Sequence, residues 1–129
     1  MSKYTTDALR TVALVGHGAS GKTSLTEALL FATGAIAAKG SVDKGNTVAD
    51  ADPQEKDAGH SLTSAVVNFG YEDTHVHLID TPGYPDFAGQ AIAALAGVDT
   101  ALIVINAQTG IELMTERMMR YAADRKLCR

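Results

Sequence analysis

Gly16-His17-Gly18-Ala19-Ser20-Gly21-Lys22-Thr23 fits the spacing G-x-x-x-x-G-K-[ST] at every fixed position. Each residue type has a physical task in that spacing. Gly16 and Gly21 permit backbone conformations that a β-carbon opposes. The loop can then turn its N–H groups inward around an anion. Lys22 is placed to neutralise β- and γ-phosphates, and Thr23 offers a hydroxyl to Mg²⁺. A helix opening near Gly21 and running through Ser24 points its positive end at the same anion. The bland alternative is a glycine-rich turn that happens to contain Gly-Lys-Thr.

A second constellation, Asp80-Thr81-Pro82-Gly83, closes an apolar run. A carboxylate at the end of a second buried strand can hold Mg²⁺, usually through water. The Gly83 N–H can donate to a γ-phosphate and so sense it. Alone, these four residues describe an ordinary turn. Placed downstream of Lys22 on a buried strand, they form a partner to the first motif.

These residues need a scaffold, and the hydrophobic pattern supplies one. Thr11 to Val15 is a short apolar, β-branched run and predicts a buried strand. Leu25, Ala28, Leu29 and Ala32 recur at helical spacing and predict one helix face. Ala35 to His60 has no sustained period, and so long a connection is usually functional or mobile. Leu62 to Phe69 and His75 to Asp80 predict two antiparallel strands turning at Gly70 to Thr74. Ala88 to Ala96 predicts a helix, and Thr100 to Asn106 a fully buried strand. Ile111, Met114, Thr115 and Met118 mark a last helix face, reaching about Arg125. Strand–helix alternation of this kind predicts an α/β fold: a three-layer sandwich on a mostly parallel sheet with one antiparallel edge strand.

Bulk properties narrow the classes. The 129 residues make one domain, 46% of them hydrophobic, with a net charge of −4. No Lys/Arg cluster gives the footprint of a DNA or RNA binder. No apolar run is long enough to cross a bilayer. Met1 to Arg10 lacks the apolar stretch of a secretory signal. The single cysteine, Cys128, excludes an internal disulfide, and a cytoplasmic protein is expected.

The glycine-rich motif, the long loop, Ile79-Asp80-Thr81-Pro82-Gly83-Tyr84-Pro85-Asp86-Phe87 and the stretch from Ala101 to Arg117 together resemble the translational GTPase family, elongation factor G and its variants above all. The likeness runs from about Thr11 to Met118. It implies a P-loop GTPase domain, here without the elements that follow in the family. It implies GTP/GDP as ligand, Mg²⁺ as cofactor and the ribosome as partner of a longer factor that hydrolyses GTP. It places the P-loop at 16–23, switch I at about 34–61 and switch II at about 80–90. By that likeness Gly16, His17, Gly18, Ala19, Ser20, Gly21, Lys22, Thr23, Ser24, Asp80 and Gly83 contact nucleotide. Thr23, Ser61 and Asp80 serve the metal. Lys22 and Tyr84 stand at the catalytic places.

The chain departs from the family pattern at four points. Ala58-Gly59-His60-Ser61 replaces arginine-glycine-isoleucine-threonine at the end of switch I, keeping a hydroxyl at Ser61. Ala19 replaces an aspartate. Tyr84 replaces the histidine that orients the attacking water. A phenol, with a pKa of about 10, stays neutral and cannot act as an imidazolium. The asparagine-lysine-x-aspartate motif that reads guanine does not occur up to Arg129. Two rival readings therefore accompany the GTPase: a nucleotide-gated module with little hydrolysis, and an inactive fragment. An apolar strand at Thr100 to Asn106 with no neighbour beyond it would be a raw sheet edge, which predicts self-association.

Other residues carry weaker expectations. His75 and His77 share a strand face but lack a third ligand, so a solvated face is expected. His17 is expected to stabilise its loop and His60 to be solvent-exposed. Met114 and Met118 are expected to fill core, unlike Met119. Cys128 is expected to be inert. Asp50, Asp52, Glu55 and Asp57 form an acidic run expected to be a solvated loop.

Overall fold

A computed structural model describes residues 4–50 and 52–129. Four strands form one sheet: β1 (Leu9–Gly16), β2 (Ala65–Tyr71), β3 (Thr74–Asp80) and β4 (Thr100–Val104). Four α-helices join them: α1 (Lys22–Ala32), α2 (Pro53–Ala58), α3 (Ala88–Ala96) and α4 (Leu113–Asp124). The sheet order is β2-β3-β1-β4. β1 runs parallel to β3 and β4, and β2 pairs antiparallel with β3.

β1 is central, and its side chains alternate between two cores. Ala13 and Val15 pack with α3 and α4 residues such as Leu95, Met114, Met118 and Ala122. Leu14 packs on the other face with Leu30, Val67, Phe69 and Leu78. Both faces are thus covered, as a parallel strand requires. Met114 and Met118 fill core as expected, while Met119 is 39% exposed.

Register matters more to the site than layer order. Leu14 lies beside Asp80 across the β1–β3 ladder, and Gly16 beside Val104 across β1–β4. The carboxyl ends of three strands therefore emerge together. The Thr81 hydroxyl donates to the Leu14 carbonyl at 2.6 Å and pins that alignment in the interior.

Several expectations shift. The β2–β3 ladder runs through Gly70–His75 and Tyr71–Thr74, so the turn shrinks to Glu72-Asp73. β4 stops at Val104 and is an edge strand, not a fully buried one: Leu102 is 41% exposed. Its outer side is partly paired, since the Ala101 N–H donates to the Cys128 carbonyl at 2.8 Å. α4 begins at Leu113, leaving Ile111 70% exposed and off the helix face. The apolar spacing in α1 has the right period, and Leu25 and Leu29 pack against the core, but the most buried line of the helix is shifted from it. Its buried residues are Lys22, Thr26, Glu27 and Leu30, whereas Ala32 is exposed.

Glu27 explains that shift. Its fully buried carboxylate accepts the Gly40 N–H at 2.8 Å and the Val48 N–H at 2.6 Å. A polar residue faces inward because two backbone donors of the long loop require an acceptor there. The Gly40 backbone comes so close that a β-carbon on it would lie 2.8 Å from the Glu27 carboxylate.

The long loop also holds a helix that Asp52, Pro53 and Gly59 mark. Asp52 caps α2 by accepting the Gln54 N–H at 2.8 Å, Pro53 opens it, and Gly59 ends it at φ 69°. The acidic run is correspondingly not all solvated. Asp52 and Asp57 are exposed, but Asp50 and Glu55 are 4% exposed. Glu55 accepts the Leu62 and Thr63 N–H groups and the Thr63 hydroxyl at 2.9–3.1 Å. Burial raises its carboxyl, but these donors outweigh burial and hold it below the ordinary value. Among the described residues no helix is long and apolar enough to cross a membrane.

Replacing Glu27 with Ala leaves two loop amides without their acceptor, at a cost of about 2 kcal/mol. Hydrogen exchange at Gly40 and Val48 should accelerate about 30-fold in that variant. Unchanged exchange there would show that the carboxylate does not hold the loop.

Candidate functional site

The loop after β1 is shaped by contacts that exclude side chains. At Gly16 (φ 150°) a β-carbon would run into the Val104 carbonyl of β4. Gly21 (φ 95°) turns the chain into α1 in the left-handed region, and Ala19 sits there too at φ 57°. The lysine that opens α1 folds back over this loop. Lys22 Nζ donates to the His17 carbonyl at 2.6 Å and the Gly16 carbonyl at 3.2 Å, with Ser20 Oγ at 3.4 Å. Burial lowers the Lys22 ammonium, and the Asp80 carboxylate opposes that shift.

Asp80 ends β3 with 1% of its surface exposed. Neither of its buried carboxylate oxygens is in a well-formed hydrogen bond, although the Thr23 hydroxyl and the Thr81 N–H lie near enough to favour its charge. Burial pushes this carboxyl up to about 6; the nearby Thr23 hydroxyl and Lys22 ammonium pull it down, and Asp50 adds to the rise. The Thr23 hydroxyl lies 3.4 Å from the Ser61 hydroxyl, which donates to Asp50 Oδ1 at 2.6 Å. Two hydroxyls, two carboxylates and one ammonium thus converge from four separate segments. Hard divalent cations take oxygen ligands of this kind. A buried carboxylate with no well-formed hydrogen bond is costly, and a cation beside it removes that cost. The residues present therefore fit Mg²⁺.

An open cleft of about 260 Å³ lies over these groups, walled by Gly18, Ala19, Gly21, Lys22, Thr23, Ser24, Asp50, His60, Ser61, Gly83 and Tyr84. Of the residues expected at the site, Gly16, His17, Ser20 and Asp80 do not form this wall. Gly83 presses against the loop: a β-carbon there would meet Lys22 Nζ and lie 2.6 Å from the Gly18 nitrogen. Tyr84 lays its ring over Gly18.

Other histidines sort as follows. His17 Nε2 is 4.0 Å from Glu112 Oε2, linking the loop to the start of α4. His75 stacks on Tyr4 at 4.8 Å and meets His77 edge-on at 4.8 Å, so this strand face is partly covered instead of solvated. Among the described residues no three His, Cys, Asp or Glu side chains are grouped to hold a metal. His60 departs from its expected place in solvent. It is half-buried, with its ring 4.6 Å from Tyr84 and 6.2 Å from Phe87.

Asp50 and His60 are the site residues that the sequence reading assigned to solvent and the structure brings to the cleft. Both belong to a segment with no periodic signal, and their partners lie far away in the chain or in an irregular turn. The cue for Asp50 was its neighbour, the Asp52-Pro53 helix start, which marks an ordered element inside the loop just after it.

Residues 7–129 match the family described as elongation factor Tu GTP binding domain. The chain is 34% identical to the mitochondrial ribosome-releasing factor 2 of Yarrowia lipolytica over 123 residues, covering 95% of this chain and 15% of that protein. It is 42% identical to the tetracycline resistance protein TetO of Streptococcus mutans over 102 residues, covering 79% of this chain and 16% of that protein. It superposes on a crystal structure of a Thermus thermophilus protein with TM-score 0.89 and 42% identity, covering 92% of this chain and 18% of that one. The chain thus spans about a sixth of the length of these curated relatives. On the match across residues 7–129 and the shared fold, the chain belongs to the elongation factor Tu GTP-binding domain family.

Proposed function

We propose that this chain binds GTP with Mg²⁺ and hydrolyses it, as the phosphate-binding part of a longer factor acting on the ribosome. The observation that carries the reading is the buried Asp80 carboxylate, without a well-formed hydrogen bond and set beside Lys22 and Thr23. The name of one relative, a ribosome-releasing factor, supports the ribosome as partner of the longer factor. The chain's own net charge of −4 gives no independent attraction to RNA.

Each residue then has a task. Loop 16–23 holds the β- and γ-phosphates with backbone N–H groups, as the N-terminus of α1 does with Thr23 and Ser24. Lys22 exchanges the His17 and Gly16 carbonyls for phosphate oxygens. Thr23 and Ser61 present hydroxyls to Mg²⁺, and Asp80 accepts from its water, with Asp50 holding Ser61 in place. When bound, Mg²⁺ neutralises charge that develops on the transferring phosphoryl group. Gly83 senses the γ-phosphate, and Tyr84 stands near the attacking water as a neutral hydrogen-bonding group. Segments 34–61 and 80–90 serve as the two switches, ordered by the γ-phosphate and released on its loss.

Lys22→Ala should weaken binding of a fluorescent GTP analogue about 10- to 100-fold, the loss expected for charge-assisted bonds to phosphate. Equal affinity of wild type and variant would remove the nucleotide reading. ATP added as competitor reports base preference in the same titration. Single-turnover hydrolysis with ribosomes separates a GTPase from a module that binds and does not turn over.

Asp80 makes a second, pH-based test without nucleotide or metal. Its folded carboxyl is raised from 3.8 to about 6. The folded state therefore holds this proton more tightly than the unfolded state. Stability from this group should rise as pH falls from about 7 to about 4, by about 2 kcal/mol. Denaturant melts of wild type and Asp80→Asn at pH 7 and pH 4.5 should differ in slope by that amount. Parallel pH dependence in the two proteins would mean that Asp80 is not desolvated.

A further inference from the structure

Glycine at position 18 is not demanded by the path of its own loop. Gly16 and Gly21 have positive φ, and Gly18 does not. What leaves no room for a side chain at Gly18 is a ring. A β-carbon there would lie 2.9–3.1 Å from three carbons of the Tyr84 ring. Ring carbons on a short, stiff side chain cannot retreat as a lysine tip can. Tyr84 stands at the mouth of the cleft and is 37% exposed, with one side of its ring against Gly18.

The stack continues past Tyr84. The His60 ring lies 4.6 Å from the Tyr84 ring at 54°, within the range of favourable tilted aromatic pairs. Phe87, 6.2 Å from His60, borders it on the next turn of the same segment as Tyr84. His60 Nδ1 lies 3.3 Å from the carbonyl oxygen of Ser61, the next residue. The Ser61 hydroxyl in turn stands 3.4 Å from the Thr23 hydroxyl and donates to Asp50. Three segments distant in the chain thus touch in one column: the backbone of the phosphate loop, Tyr84 and His60. The column ends at His60, one residue before Ser61, whose hydroxyl Asp50 holds.

We propose that Gly18, Tyr84 and His60 form a single positioning column, in which the Tyr84 ring seated on Gly18 supports the His60 ring and so holds the end of loop 34–61 against the phosphate loop. His60 and Tyr84 are positioning residues in this scheme. Their rings act by shape, and no ring nitrogen or phenol proton is transferred. The proposal rests on the nucleotide reading only for its consequence, which is slower escape of Mg²⁺-nucleotide from a cleft whose two walls are held together. The column itself exists without nucleotide.

The test uses the full-length factor and two readouts. In nucleotide-free protein, hydrogen exchange is followed at residues 59–62 and 83–87. With bound nucleotide, the dissociation rate of a fluorescent GTP analogue with Mg²⁺ is followed by stopped flow. His60→Ala should accelerate both by about 3- to 10-fold, the range of one aromatic pair. His60→Phe keeps the ring and should restore both to within about twofold of wild type. Gly18→Ala should accelerate both through its clash with Tyr84. In a Tyr84→Ala background the same Gly18→Ala change should add nothing.

Any of three results would overturn the column: His60→Ala matching wild type in both readouts, His60→Phe behaving as His60→Ala does, or Gly18→Ala costing as much without the Tyr84 ring as with it. Failure of the nucleotide reading has a different signature: no analogue binding at all, with the exchange pattern at 59–62 still responding to His60→Ala.

Discussion

A carboxylate taken out of water without a well-formed hydrogen bond is among the most costly groups a small domain can carry. Asp80 is such a group, and much of the fold can be understood as what holds it there. Its position follows from register. With Leu14 opposite Asp80 in the parallel ladder, β3 can end only where β1 turns into the glycine loop. Slipping that register by one residue would turn the Asp80 side chain to the other face of the sheet. The Thr81 hydroxyl bond to the Leu14 carbonyl lies at the position where such a slip would break it. Lys22 then balances the buried charge from the first turn of α1, while its own ammonium is satisfied by loop carbonyls.

The segment between α1 and β2 is organised by the same chemistry at lower cost. Glu27, Asp50 and Glu55 are all buried, and each takes donors from within or just beyond this loop. A loop of this length with few apolar residues cannot be held by hydrophobic burial. Carboxylates accepting backbone N–H groups can hold it, because each bond is strong and directional. Such bonds also break and reform without rearranging a core. The exposed Val48 and the half-buried His60 show how little apolar surface the segment contributes.

Sequence makes some of this legible and hides the rest for identifiable reasons. The glycine loop is readable because its fixed residues fall within eight adjacent positions, even though some of the contacts that require them come from far along the chain. β1, β3 and α3 are readable because apolar residues cover whole faces. α1 is legible in part: Leu25 and Leu29 do pack on the core, but its most buried line includes Lys22, Thr26 and Glu27, and apolar spacing cannot see a polar residue buried by a distant partner. β4 reads as fully buried because five apolar or β-branched residues look alike at a sheet centre and at its edge. Asp50 and His60 escape because their roles are set by Ser61 and Tyr84 across an irregular loop, a relation with no period. The match to the elongation factor Tu GTP-binding domain family confirms the fold and the GTP-binding class, which those adjacent motifs already carry.

The glycines around the cleft show how local freedom and long-range contact divide the work. Gly21 is required by its own backbone, at φ 95° with open space beside it. Gly83 is required by its neighbours, since Lys22 and the Gly18 nitrogen leave no room for a β-carbon. Gly16 is required by both, through φ 150° and the Val104 carbonyl. Gly18 belongs with Gly83, and the neighbour that requires it is aromatic. Substituting a larger residue at position 18 would therefore demand a shifted or smaller ring at position 84, whereas no change elsewhere would relieve the backbone at Gly21. The phosphate loop and the segment after β3 form one packing unit, even though each motif can be written as a separate string of residues. Motion of either segment must disturb the other at Gly18, where the backbone of one is the floor for the ring of the other.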